Sequence, residues 1–239
     1  MSTPKGFVLY RGPSMLDGSP IAMVATLKTN NRKTGDMIQT WIIRTDLTPV
    51  EASKRKLDNA ICGNCPQRWS VGGACYVNIG QAPQAVYKGL ERGIYPDYDA
   101  TQHSKYFTGR MLRLGAYGDP AAVPIDVVRP LLSIVKGHTG YTHQMRHKGF
   151  DKAWLEFLMV SADTPRAAMK ARESGARYFR VSRDGEVMQG EIECLSESKG
   201  ISCADCGLCN GKGAADSIVI TVHGTRASNF LNNNIIARG

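Results

Sequence analysis

Apolar residues come in short runs parted by turn formers, and their rhythm changes once along the chain. In the first part, Ile21 to Lys28 and Met37 to Thr45 read as strands. Between them, Asn30-Asn31-Arg32-Lys33-Thr34-Gly35-Asp36 is dense in turn residues, which predicts an N-terminal β-hairpin. Thr48-Pro49-Val50-Glu51 marks a helix start, with threonine at the cap, proline at the first helical position and glutamate three residues on. A second helix is predicted from Pro83 to Arg92, stopped by Gly93.

From Met111 the pattern becomes strand, helix, strand. Met111 to Ala116 reads as a strand, and Ile125 to Lys136 as a helix in which Pro130 forces a kink or a later start. The stretch from Gly137 to His143 and the run Phe157 to Ser161 read as further strands. Asp163-Thr164-Pro165 caps a helix that ends at Gly175; Arg177 to Val181 and Ser217 to His223 are the last strands. Strands alternating with helices of about ten residues predict an α/β fold with a mainly parallel or mixed sheet, in one variant a partial barrel, carrying the hairpin and a cysteine-rich metal lobe. One domain over 1–239 is expected: a hairpin region 1–58, a first cysteine segment 59–110, and a βα core 111–239 with a cluster-binding insertion at 194–213. Strand ends in such sheets collect functional groups, which draws attention to Gly115 to Asp119, His138 to His143, Ser161, Arg180 and His223.

Hydrophobic residues are 42% and charged residues 21% of the 239, an ordinary globular balance. No apolar run approaches the ~18–20 residues of a membrane helix, and the first residues lack a basic segment followed by an apolar stretch, so a soluble cytoplasmic protein without membrane contact is expected. The formal charge of +9 favours nucleic acid, a phosphorylated ligand or an anionic cofactor, but the basic residues are dispersed apart from Lys54-Arg55-Lys56.

Cysteine usage changes the picture most. Seven cysteines, an odd number with no signal segment, argue against a disulfide framework and for metal ligation. Cys203, Cys206 and Cys209 form C-x2-C-x2-C, with Cys194 upstream. Two-residue gaps let a turning backbone aim successive thiolates at different irons of one cube, as in ferredoxins. Zinc sites more often use separated C-x2-C pairs around one tetrahedral ion. Cys62, Cys65 and Cys75 form C-x2-C-x9-C, which supplies three thiolates and would leave one iron of a cube open to a substrate. A [4Fe–4S] cluster on the C-terminal group is the leading expectation. A second cluster or zinc on the first group, and a single cluster fed by both groups, remain alternatives.

The segments CGNCP…GGACYVNIGQAPQAVYKGLERGIYP, LRLGAYGDPAAVP, TGYTHQM and SCADCGLC, roughly Asn59 to Cys209, resemble a family of uncharacterised proteins encoded by tailed bacteriophages. That resemblance implies iron–sulfur binding, with the host cytoplasm as location, and no settled activity. More distantly, a cysteine cluster before a strand ending in Gly-Asp-Pro resembles phage proteins related to radical-SAM enzymes. The spacing C-x3-C-x2-C usual in those enzymes is absent here, which argues against S-adenosylmethionine as a ligand.

Further candidates lie at the strand ends. Gly115 and Gly118 allow close backbone approach to a ligand, Asp119 offers a carboxylate, and Arg113 and Arg180 would bind an anionic ligand. His138 and His143 differ by an odd number, so on one strand they face opposite sides and do not share a metal. Asp119, Tyr141, His143 and Ser161 are the candidate catalytic residues. Phosphate-binding, dinucleotide-binding, nucleophile-elbow and zinc-protease motifs are absent. Three functions follow: an iron–sulfur enzyme with a small-molecule substrate or an electron donor as partner, a nucleic-acid-binding or regulatory protein with a structural cluster or zinc, and a metal-supported hydrolase.

Overall fold

A computed structural model describes residues 3–232. Ten strands form two sheets. The first holds β1 (Gly6–Pro13), β2 (Pro20–Thr26), β3 (Met37–Arg44), β4 (Met111–Tyr117) and β5 (Gly137–Thr139), in that spatial order. β2 pairs antiparallel with both β1 and β3, and β4 and β5 then join parallel to β3. The second sheet holds β6 (Tyr141–Thr142), β7 (Met159–Ala162), β8 (Tyr178–Ser182), β9 (Glu191–Glu193) and β10 (Ser217–Thr221), in the order β6-β7-β8-β10-β9, all parallel. The molecule is therefore α/β, with one mixed and one parallel sheet.

The two runs read as a hairpin do pair antiparallel, from Ile21 opposite Arg44 to Thr26 opposite Gln39. They sit inside a larger sheet: β3 is buried along its whole length, flanked by β2 and β4. That burial explains its near-continuous apolar run. Thr48 makes the expected capping box with Glu51, and Pro49 opens the helix Pro49–Lys54.

Three elements differ from the sequence reading. The helix from Ile125 ends at Leu132 rather than Lys136, two residues after Pro130, whose ring nitrogen has no hydrogen to donate. The stretch 137–143 is two short strands in different sheets. Gly140 is the break: its N–H donates to the Cys209 carbonyl (2.9 Å), and its carbonyl accepts from the Met159 N–H (3.0 Å). β1, with a bulge between Val8 and Tyr10, escapes an alternation-based reading.

The main core fills the first sheet, around Phe7, Met23, Ile38, Ile42, Leu112 and Val128. A smaller core lies where the helix Pro165–Glu173 sets Ala168 and Ala171 against Val160, Ala162 and Tyr178. Small helix residues let the helix sit close on the parallel strands. No helix among the described residues is long and apolar enough to cross a membrane.

Candidate functional site

The chain places all seven cysteines on the wall of one cavity of about 370 Å³. Its floor is the carboxyl edge of the parallel strands, where Asp119, His143, Asp163, Cys194 and His223 follow β4, β6, β7, β9 and β10. The thiols are half-buried and unpaired, and they fall into two groups.

The first group is shaped by short-range geometry. Asn59–Cys62 is one helical turn ended by Gly63, whose φ of +50° is a conformation other residues avoid. The chain then doubles back, with the Cys65 N–H donating to the Cys62 carbonyl (3.1 Å). Cys75 is brought alongside when its N–H donates to the Gln67 carbonyl (2.8 Å). Burial and the neighbouring thiols of Cys65 and Cys75 push the Cys62 thiol well above its ordinary range, and burial raises Cys75 to about 11. At Cys62 and Cys75 a bound positive charge would offset that cost of ionisation.

The second group gathers Cys194, which caps the turn after β9, with Cys203 and Cys206 at the ends of one helical turn and Cys209 beyond it. Ser202 caps that turn by accepting from the Asp205 N–H, and Gly207, at φ +63°, ends it. The Cys203 and Ala204 N–H groups donate to the carbonyls of Lys33 and Thr34, which ties this turn to the β2–β3 connection. Burial, and then the other three thiols, raise Cys209 to about 12, against the pull of the Tyr141 hydroxyl beside it.

Arg113 and two tyrosines stand between the groups. Arg113 Nη2 donates to the Tyr76 phenol oxygen (2.6 Å), next in sequence to Cys75. The Arg113 guanidinium also faces Cys203 and Tyr141, and Tyr141 lies beside the Cys209 thiol. No carboxylate forms an ion pair with Arg113 among the described residues. A buried guanidinium needs compensating negative charge, and the thiolate sites on either side are the groups placed to provide it.

Asp119 lines the cavity, but its carboxylate is fully engaged. Oδ2 accepts from Thr142 Oγ1 (3.1 Å), the His143 N–H (2.9 Å) and Gln144 Nε2 (3.1 Å), and Oδ1 from the Ala121 N–H (3.1 Å). Gln144 Nε2 also donates to the Cys62 carbonyl (2.9 Å), and its oxygen accepts from the Asn64 N–H (3.2 Å). Asp119 thus holds the first cysteine turn and the end of β6 in one frame. Gly118 serves the same bend: at φ +81°, an added Cβ would meet Ile42 Cβ at 2.8 Å. Gly115, at φ +69°, sits in the irregularity where β4 slips past β3, its N–H held by Thr40 Oγ1 (2.9 Å).

The other expected residues divide. Tyr141, His143, Ser161, Gly115 and Gly118 reach the cavity. Arg180 does not. It is buried in a bidentate pair with Glu191 (2.7 and 2.6 Å), and this internal charge pairing replaces the ligand role expected of it. His138 points to the Phe157 carbonyl (3.0 Å) and is separated from His143 by the break at Gly140. Ser161 makes no hydrogen bond with His143. Sequence reasoning overlooked Gln67, Tyr76 and Asp163. Asp163 follows β7 directly, so the strand-end rule that picked Ser161 could have found it. Among the described residues, no group of three or more His, Cys, Asp or Glu side chains forms a site for a metal ion as the side chains stand.

Comparison of the chain with models of protein families, with curated proteins and with solved structures finds no match.

Proposed function

We propose that this chain is an iron–sulfur enzyme, with a [4Fe–4S] cluster on Cys194, Cys203, Cys206 and Cys209 and a second cluster on the group Cys62, Cys65 and Cys75. The observation that carries this reading is the meeting of all seven thiols, from two distant segments, around one cavity. Disulfide or core thiols have no reason to converge in this way. The cavity is the size of a small-molecule site.

The surroundings fit such groups. Arg113 offers the positive charge that an anionic cluster calls for. A tetrahedral zinc ion needs four donors drawn in at about 2.3 Å from the metal, whereas a cube takes one thiolate at each of several separated irons, which suits the spread of these thiols better. When bound, the clusters supply one-electron redox or Lewis-acid chemistry.

The chain's own residues do the rest. Tyr76, Arg113 and Tyr141 link the groups through one hydrogen bond and close contacts, a path for electrons between them. Phe179, Val181 and Ile220 give part of the cavity wall an apolar surface. A small substrate or electron donor is the expected partner. Kinship with the phage-encoded family belongs to the same proposal and rests on the shared cysteine segments. The hydrolase alternative has the His143–Asp163 pair in its favour, but Ser161 is not bonded to it.

Iron, acid-labile sulfide and zinc per chain, measured after anaerobic purification, test the proposal. About eight irons and eight sulfides, with broad absorbance near ~400 nm, are expected. Zinc without sulfide overturns it in favour of a structural metal.

A further inference from the structure

The first cysteine group offers three thiolates, one short of a closed cube. The fold sets a histidine beside this group. His143 follows β6 and borders the cavity, with its ring beside the Cys65 thiol. Its backbone N–H is pinned by Asp119, and Gln144, the next residue, is bonded to both Cys62 and Asn64. The imidazole and the Cys62–Cys65 turn are therefore fixed relative to each other.

The other side of the ring carries a second, independent feature. His143 Nε2 is buried and lies 3.3 Å from Asp163 Oδ2, outside hydrogen-bond geometry and with no other partner. Asp163 Oδ1 is in turn held by Gln67 Nε2 (2.9 Å). Gln67 sits within the cysteine segment itself, and its own carbonyl positions Cys75. Metal-bound histidines regularly present one ring nitrogen to a carboxylate, which fixes the tautomer and makes the other nitrogen a better ligand. Here the Asp163 carboxylate and the Cys65 thiol both lie against the His143 imidazole.

We infer that His143 is the fourth ligand of the first group, which makes a Cys3His cluster site oriented by Asp163 and Gln67 and distinct from the all-cysteine site at Cys194 to Cys209. This rests on the iron–sulfur reading above. It closes the iron that three cysteines would leave open, so this cluster moves electrons and does not bind substrate. A neutral imidazole in place of a thiolate also raises the reduction potential, as it does where histidines replace cysteines in Rieske centres.

The test is pulsed EPR on dithionite-reduced protein labelled with nitrogen-15 histidine, alongside His143→Ala and His143→Cys. The wild type is expected to show a strong hyperfine coupling from directly bound nitrogen. His143→Ala loses the coupling and about half the iron. His143→Cys loses the coupling, keeps iron, sulfide and the wild-type circular dichroism, and has one potential lowered. Iron and sulfide present without the coupling in the wild type, or a coupling that survives in either variant, overturns the assignment of His143 alone. Absence of iron and sulfide from the wild type overturns the iron–sulfur reading and this assignment with it.

Discussion

Arg113 on β4 donates to the hydroxyl of Tyr76, the residue after Cys75, at 2.6 Å. This contact joins a buried strand of the first sheet to the end of the first cysteine segment, and the same guanidinium faces Cys203 of the second. Arg113→Gln is expected to leave iron content unchanged and to lower the potential of the C-terminal cluster, on the order of 50 mV, because a nearby positive charge favours the reduced, more negative state. Potentiometric titration followed by EPR reads this directly; an unchanged potential would mean that the guanidinium is screened from the cluster.

The two cysteine groups load independently on this reading. Cys206→Ala should remove about half of the iron and sulfide and leave the spectrum of the remaining cluster intact. If Cys206→Ala and Cys65→Ala each abolish all iron, one cluster draws on both groups.

Asp119 is expected to behave as a structural carboxylate. Asp119→Ala strips acceptors from Thr142, His143, Gln144 and Ala121 together, and a loss of about 3 kcal/mol is expected from urea denaturation of the metal-free protein. Asp119→Asn keeps one oxygen for the β6 end and loses only the Ala121 bond, so it should cost roughly 1 kcal/mol. Equal and negligible costs for both would return Asp119 to the list of catalytic candidates.

The pair Arg180–Glu191 gives a stability test remote from the cavity. Both side chains are almost fully buried, at 2% and 0% exposure. Burial opposes ionisation of Glu191, but the bonds from Arg180 and the Met188 N–H outweigh it and hold its carboxyl below the ordinary glutamate range. A depressed folded pKa contributes stability that is present above about pH 4.3, the unfolded value, and is lost as pH falls through the folded one. Glu191→Gln strands a buried guanidinium and should cost about 3–5 kcal/mol at pH 7. The gap from wild type should narrow in acid; a gap that stays constant from pH 7 to pH 3 contradicts the assignment.

Local signals in the sequence carried over well. The Thr48–Glu51 box and the stop at Gly93 depend on neighbours a few residues apart, and the helices stand where these signals put them. The cysteine segments, singled out by their spacing, meet at one cavity. What stayed hidden were the long-range partners. Nothing near Arg180 reveals that Glu191 will neutralise it, and nothing near Asp119 reveals that residues 142–144 will use up its oxygen. Gln67 and Asp163 meet across 96 positions, and no periodicity encodes such a meeting. The split of 137–143 was hidden for the same reason, since Gly140 is claimed by Cys209 on one side and Met159 on the other.

That switch of the chain from one sheet to the other at Gly140 bears on how the protein is made. Everything up to β5 belongs to the first sheet, whereas the far wall of the cavity, from β6 to Cys209, is synthesised afterwards. A nascent chain therefore exposes Cys62, Cys65 and Cys75 well before their enclosure exists, for roughly 10 s at ordinary rates of translation. If the first group holds the proposed cluster, its cysteines are open to loading until the residues from β6 to Cys209 have been made and folded over them.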